Sequence, residues 1–93
     1  MAAPNFVLRY EHDVEIDPPA RKHGVSDEDI RFAYEHYLYV ASLDSEDTLV
    51  RVLYLGPDRA GNLLELVAME LDEGGDLVIH AMKMSSRYRE LLP

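Results

Sequence analysis

The chain has 93 residues, 47% hydrophobic and 29% charged, and its 18 Asp and Glu against 9 Lys and Arg give a formal net charge of −9. That length suits one domain and not two, and so apolar a chain is not disordered. Without cysteine there is no disulfide framework or thiolate metal site, without an apolar run near the ~20 residues of a membrane span no membrane association is expected, and the acidic balance opposes nucleic acid over most of the surface.

The opening "MAAPNFVLRY" lacks the charged start and apolar centre of a signal peptide, so a cytoplasmic protein is expected. Residues 1–20 carry weak signals: "NFVLRY" can form a short strand, whereas the prolines of "DPPA" remove backbone donors and restrict their neighbours. After Gly24 the pattern sharpens. Ser26 is a good N-cap, Asp27, Glu28 and Asp29 suit the positive end of a helix dipole, and Ile30, Ala33, Tyr34, Tyr37 and Leu38 recur at helical spacing, which predicts a helix from about Asp27 to Leu38. "DTLVRVLYLG" reads as a strand stopped by Gly56 and Pro57, and "PDRAGN" as a turn with Gly61 and Asn62 available for left-handed angles. "LLELVAMEL", the turn "DEGGDL" and "LVIHAM" complete an antiparallel hairpin, and "SSRYRELL" predicts a short closing helix. The expected fold class is α+β, one domain over 1–93, with a helix on a three-stranded meander.

With Gly74 and Gly75 as the two central turn residues, Leu71 opposes Val78, Met69 opposes His80 and Ala68 opposes Ala81. Leu64, Leu66, Ala68, Leu77, Ile79 and Ala81 then share the core face, and His80 lies opposite with Val67, Met69, Val78 and Met82. A different loop length would reverse the faces.

The acids gather in "EHDVEID", "SDED", "DSED" and "ELDEGGD", while the bases form two islands, Arg21 with Lys22, and Lys83 with Arg87 and Arg89. Arg51 alternates with apolar residues in "LVRVL", so it reaches solvent, pairs with an acid such as Glu65 or Glu70, or stands over a working surface. Tyr34, Tyr37 and Tyr39 have the spacing of a core face more than of base-stacking platforms. His12, Asp13 and Glu15 are metal-ligand types without a converging spacing, so neither metal nor cofactor is expected. No Ser-His-acid order, glycine-rich phosphate loop or paired-carboxylate arrangement stands out.

The order of these pieces, with "KHGVS" opening a helix, then "RVLYLG", "GNLLELVAME" and "VIHAMKMSSRYREL", resembles the BrnT family of bacterial toxins over roughly Arg21 to Leu91. It is also similar to a group of toxin-like actinobacterial proteins with "ARKHGVSDED" and "HAM" segments. The resemblance implies a small RelE/ParE-like fold and a metal-independent endoribonuclease, the toxin component of a type II toxin–antitoxin system held inactive by a cognate antitoxin, with homodimerisation an open alternative for its apolar sheet surface. Such cleavage needs a base for the 2′-hydroxyl, cations for the phosphate and an acid for the leaving oxygen. The resemblance maps these roles onto His23 as base or acid, with Lys83 and Arg51 as cations, and RNA contacts onto Lys22, His80, Arg87 and Arg89. Each has a structural reading beside it: His23 packing at a helix entrance, Arg51 in an ion pair, Arg87 and Arg89 on a solvated helix. Departures from the family pattern, among them the absence of Trp, Met82 before Lys83 and Tyr88 after Arg87, point to weakened or lost cleavage. The alternative is a non-catalytic acidic module on the same fold that binds a basic protein partner.

Overall fold

The computed structural model describes residues 14–43 and 50–93. The expected strand in "NFVLRY", together with His12 and Asp13, lies outside them. The fold is α+β: among the described residues one α-helix, α1 (Asp27–Glu35), packs on a sheet of five strands, β1 (Val14–Ile16), β2 (Tyr39–Ser42), β3 (Arg51–Pro57), β4 (Leu63–Glu70) and β5 (Asp76–Lys83). Their spatial order is β1-β5-β4-β3-β2. The expected three-stranded meander is present as β3-β4-β5 and is extended at both sides, antiparallel by β2 and parallel by β1 against β5. Among the described residues no helix is long and apolar enough to cross a membrane.

Helix α1 begins as its sequence dictates. Ser26 is extended, its hydroxyl accepts from the Asp29 amide at 3.1 Å, and three acids occupy the first turn. It ends at Glu35, a turn earlier than the periodicity predicts. The His36 amide closes on the Phe32 carbonyl, and the Leu38 amide bonds to the Leu55 carbonyl at 2.7 Å, which draws the following residues into β2. Tyr37 and Leu38, expected on the core face, are therefore 49% and 56% exposed.

Ile30 and Ala33 of α1 are fully buried over Val14, Ile16, Leu64, Leu66, Ala68, Val78 and Ala81. The helix can sit this close because β3 carries Gly56 beneath it: a Cβ there would lie 2.6 Å from the Ala33 carbonyl oxygen and 3.0 Å from the Tyr37 Cα. Tyr34 anchors the same helix by donating its hydroxyl to Asp76, a buried carboxylate at the start of β5, and its ring lies 4.9 Å from that of Tyr54. Burial, then the Asp76 bond, raises the Tyr34 phenol above its ordinary pKa, so it remains the donor. Tyr34→Phe removes this donor from a buried acceptor and is expected to cost about 1–3 kcal/mol, read as a lower urea midpoint at unchanged m. An unchanged midpoint would show that water replaces the bond.

The β4–β5 hairpin departs from the expected register. The Gly74 amide bonds to the Leu71 carbonyl and the Leu71 amide to the Gly75 carbonyl, so residues 72–74 form the loop, with Gly74 at φ +97°. Ala68 consequently faces Val78 and Met69 faces Leu77. The register then shifts, because Val67 faces His80 and leaves Ile79 as the extra residue of a β-bulge. The bulge lets both Val78 and Ala81 point into the core, with relative exposures of 0%, whereas the expected core residues Leu77 and Ile79 do not. His80 lies beside Val67 on the face away from α1, as the sequence pattern proposed.

Among the described residues two 3-10 helices flank the sheet. Pro18–Arg21 packs on β5 with Ala20 fully buried, and the Asp17 amide bonds to the Val78 carbonyl. The expected closing helix is also 3-10, over Ser86–Leu91, and buries no residue. The turn from Asp58 to Asn62 closes as expected, but only Gly61, at φ +91°, takes the left-handed conformation.

Candidate functional site

The strand alternation puts Glu65 on the sheet face opposite α1, in the middle of β4. An acid there is costly unless it is satisfied, and Glu65, only 3% exposed, is satisfied on both oxygens. Its Oε1 accepts the Ser85 amide at 2.7 Å, and its Oε2 lies 2.9 Å from His80 Nε2. Burial pushes the Glu65 carboxyl up, but the hydrogen bonds from Ser85 and His80 outweigh it and hold the group below the usual carboxylate range. An ionised carboxylate only accepts, so His80 Nε2 carries the proton, and the neutral ring has its lone pair on Nδ1. A carboxylate that fixes the tautomer of an imidazole is the arrangement by which enzymes prepare a general base.

Around this pair the same face forms a hollow of about 400 Å³ lined by Arg51 and Arg87, by Ser85 and Tyr88, and by apolar Leu43, Val67, Ile79 and Met82. Arg51 and Arg87 are exposed. The Arg87 guanidinium carbon lies 4.9 Å from the centre of the Tyr88 ring, a cation–π contact. The hollow thus combines two cations, an oriented imidazole and an apolar floor.

His23 reaches this pair from another element. It sits in the turn between the first 3-10 helix and α1, where Gly24 takes φ +82° and its amide bonds to the Arg21 carbonyl. Arg21 closes the turn with two hydrogen bonds to Asp27, at 2.9 and 3.0 Å. The exposed His23 ring meets that of His80 edge-on, with centroids 5.8 Å apart.

Lys83 lies elsewhere. It pairs with Leu64 on the α1 side of the sheet, where a second hollow of about 540 Å³ is lined by His23, Lys83, Ser26, Asp29, Asp58 and Arg59 among others. Arg59 is committed there to Asp29 by bonds of 2.8 and 3.0 Å from its side chain and amide.

The structure therefore divides the residues singled out in the sequence. Arg51, His80 and Arg87 line one hollow, His23 and Lys83 the other, and the contact between His23 and His80 joins the two. Lys22 and Arg89 are exposed and line neither hollow. Sequence reasoning named Glu65 only as an ion-pair partner for Arg51, whereas its carboxylate holds His80 and the Ser85 amide; the signal was available, since one acid inside the apolar run "LLELVAM" demands a partner once buried. No protein-family model matches the chain, and a comparison with curated proteins finds no match.

Proposed function

We propose that this protein is a BrnT-like, metal-independent endoribonuclease of the RelE/ParE kind, acting in the cytoplasm as the toxin of a toxin–antitoxin pair, with His80 as its general base. The observation that carries this reading is the buried Glu65 carboxylate holding His80 Nε2 at 2.9 Å in a hollow that also contains Arg51 and Arg87. Nδ1 of His80 would take the proton of a 2′-hydroxyl, and the guanidinium groups would neutralise the phosphate as charge builds on it. In this assignment His80 passes from an RNA contact to the base, and Lys83, across the sheet, gives up the catalytic role in favour of Arg51 and Arg87. A cognate antitoxin would silence the protein by filling the same hollow.

The test is cleavage of single-stranded RNA by the purified protein in EDTA, compared with His80→Ala and Arg51→Ala. Loss of about 10²- to 10⁴-fold is expected for His80→Ala, the usual worth of a positioned base, with a smaller loss for Arg51→Ala. Equal residual cleavage by all three proteins would reject the assignment.

A second reading, an acidic module that binds a basic protein, draws on a specific observation. Among the described residues Arg21 is neutralised by Asp27 and Arg59 by Asp29, in a chain whose net charge is −9. An inert protein that retains no RNA on a filter would favour it.

A further inference from the structure

We infer that the outer edge of strand β2 is a docking site for a strand of another protein, apolar in its middle and carrying Lys or Arg at its ends. The inference stands apart from the ribonuclease reading, because it concerns what the sheet binds along its side, whether or not the hollow cuts RNA.

Strand β2 closes one side of the sheet, and among the described residues its strand neighbour is β3 alone. The Leu43 amide bonds to the Arg51 carbonyl, so the alternation of an antiparallel ladder turns Ala41 towards β3 and leaves the amide and carbonyl of Val40 on the open side. Large apolar side chains gather on the same stretch. Tyr37, Leu38, Val40 and Leu43 are 49%, 56%, 40% and 43% exposed, and among the described residues Leu91 is the one other large hydrophobic left so open. They serve both faces of the edge. Val40 pairs with Tyr54, which packs on the α1 side, while Leu43 lines the hollow on the other, so an added strand gains apolar contacts above and below. The patch is also held in shape, with the Tyr37 ring edge-on against that of Tyr54 at 5.6 Å between centroids.

An open strand edge invites pairing, and proteins blunt it with brevity, charge or proline. The opposite edge, β1, has all three: it is three residues long, exposes Glu15 at its centre and is followed by Pro18 and Pro19. Strand β2 has no such guard. The run 37–43, "YLYVASL", contains neither a charge nor a proline in a chain of which 29% is charged. Backbone pairing and apolar contact are what it offers, and a strand is the partner that uses both.

Charge decides which strand. In the sequence the run lies between Glu35 and the acids at positions 44, 46 and 47, with no Lys or Arg from 32 to 50. Chain connectivity keeps these carboxylates near the ends of β2, where they attract cations flanking an incoming strand. A second copy of this chain would bring the same acids, and in either direction of pairing acid would meet acid. RNA is repelled by them and meets no cation along the run.

The experiment records amide shifts of the isotope-labelled full chain on adding a peptide of sequence Val-Thr-Val-Thr-Val with a lysine pair at each end, against the same peptide ending in glutamate pairs. The lysine peptide is expected to shift amides across β2 and at Tyr54, less so as salt rises, and the glutamate peptide to leave them in place. Val40→Lys puts a charge at an exposed position, so it should keep the urea midpoint of the unaltered protein and lose the shifts. The inference is overturned if the lysine peptide leaves the β2 amides unmoved, if both peptides move them alike, or if the shifts fall on the hollow instead. A dimer of the unaltered protein that Val40→Lys abolishes, measured by sedimentation, would give the edge to a second copy and overturn it too. None of these outcomes bears on RNA cleavage, so the His80 reading survives a failure here.

Discussion

Gly56→Ala is expected to lower the stability of the protein by about 1–3 kcal/mol, although it adds a single methyl group. The added carbon would lie 2.6 Å from the Ala33 carbonyl oxygen, well inside van der Waals contact. The obstacle is backbone, so no rotamer change relieves it. Either α1 lifts from β3 or the strand bends away, and both open the contact beneath the fully buried Ile30 and Ala33. For a domain of this size the loss corresponds to roughly 10 °C in the melting midpoint. Calorimetry measures it directly. A variant that melts with the unaltered protein would mean that helix and strand are less closely apposed than described.

Glu65→Gln should separate activity from folding. Glutamine retains an oxygen for the Ser85 amide but presents an NH2 group to His80 Nε2, which must then become the acceptor. The ring proton moves to Nδ1, and the atom proposed to receive the 2′-hydroxyl proton no longer can. A comparable carboxylate-to-amide change behind a catalytic histidine costs about 10⁴ in turnover, and a similar collapse of RNA cleavage is expected here. Stability should fall by only about 1 kcal/mol, since one charge-assisted bond becomes a neutral one.

The two proteins should also differ in acid. Glu65 has a folded pKa below its ordinary value, so its contribution to stability is complete above the unfolded carboxyl pKa, about 4.3, and is lost as pH falls through the folded value. Glu65→Gln lacks that component. Its stability should therefore decline less steeply below about pH 4.5, although Asp27 and Asp29, both lowered chiefly by hydrogen bonds from Arg21 and Arg59, contribute a slope common to both. Urea midpoints taken across this range would show the difference, and parallel curves would contradict it.

The parts of the fold legible in the sequence are those set by near neighbours. Ser26 and the three acids after it mark the start of α1, and the apolar alternation marks β3 and β4. The end of α1 is invisible locally because Tyr37 and Leu38 continue the helical spacing. What stops the helix is the Leu55 carbonyl, 17 positions later, taking the Leu38 amide. Strand β1 is only three residues long and pairs in parallel with a strand more than sixty positions away, which no local pattern records. The candidate site follows the same division. His23, Arg51, His80, Lys83 and Arg87 were recognisable by residue type, but the sheet face of each depends on register, and register depended on a loop of three residues instead of two. Glu65 was named only as a partner for Arg51 and not as a site residue, because its value lies in partners 15 and 20 positions away.

The surplus residue at Ile79 has a consequence for comparing this chain with others. Odd and even positions exchange sides of the sheet there, so matching β5 to another sequence by hydrophobic alternation alone will be correct through Val78 and wrong by one from His80 onward. A single-position gap belongs at 79. Placed elsewhere, it would equate the imidazole over Glu65 with a neighbour's core aliphatic and hide common ancestry where it is most informative.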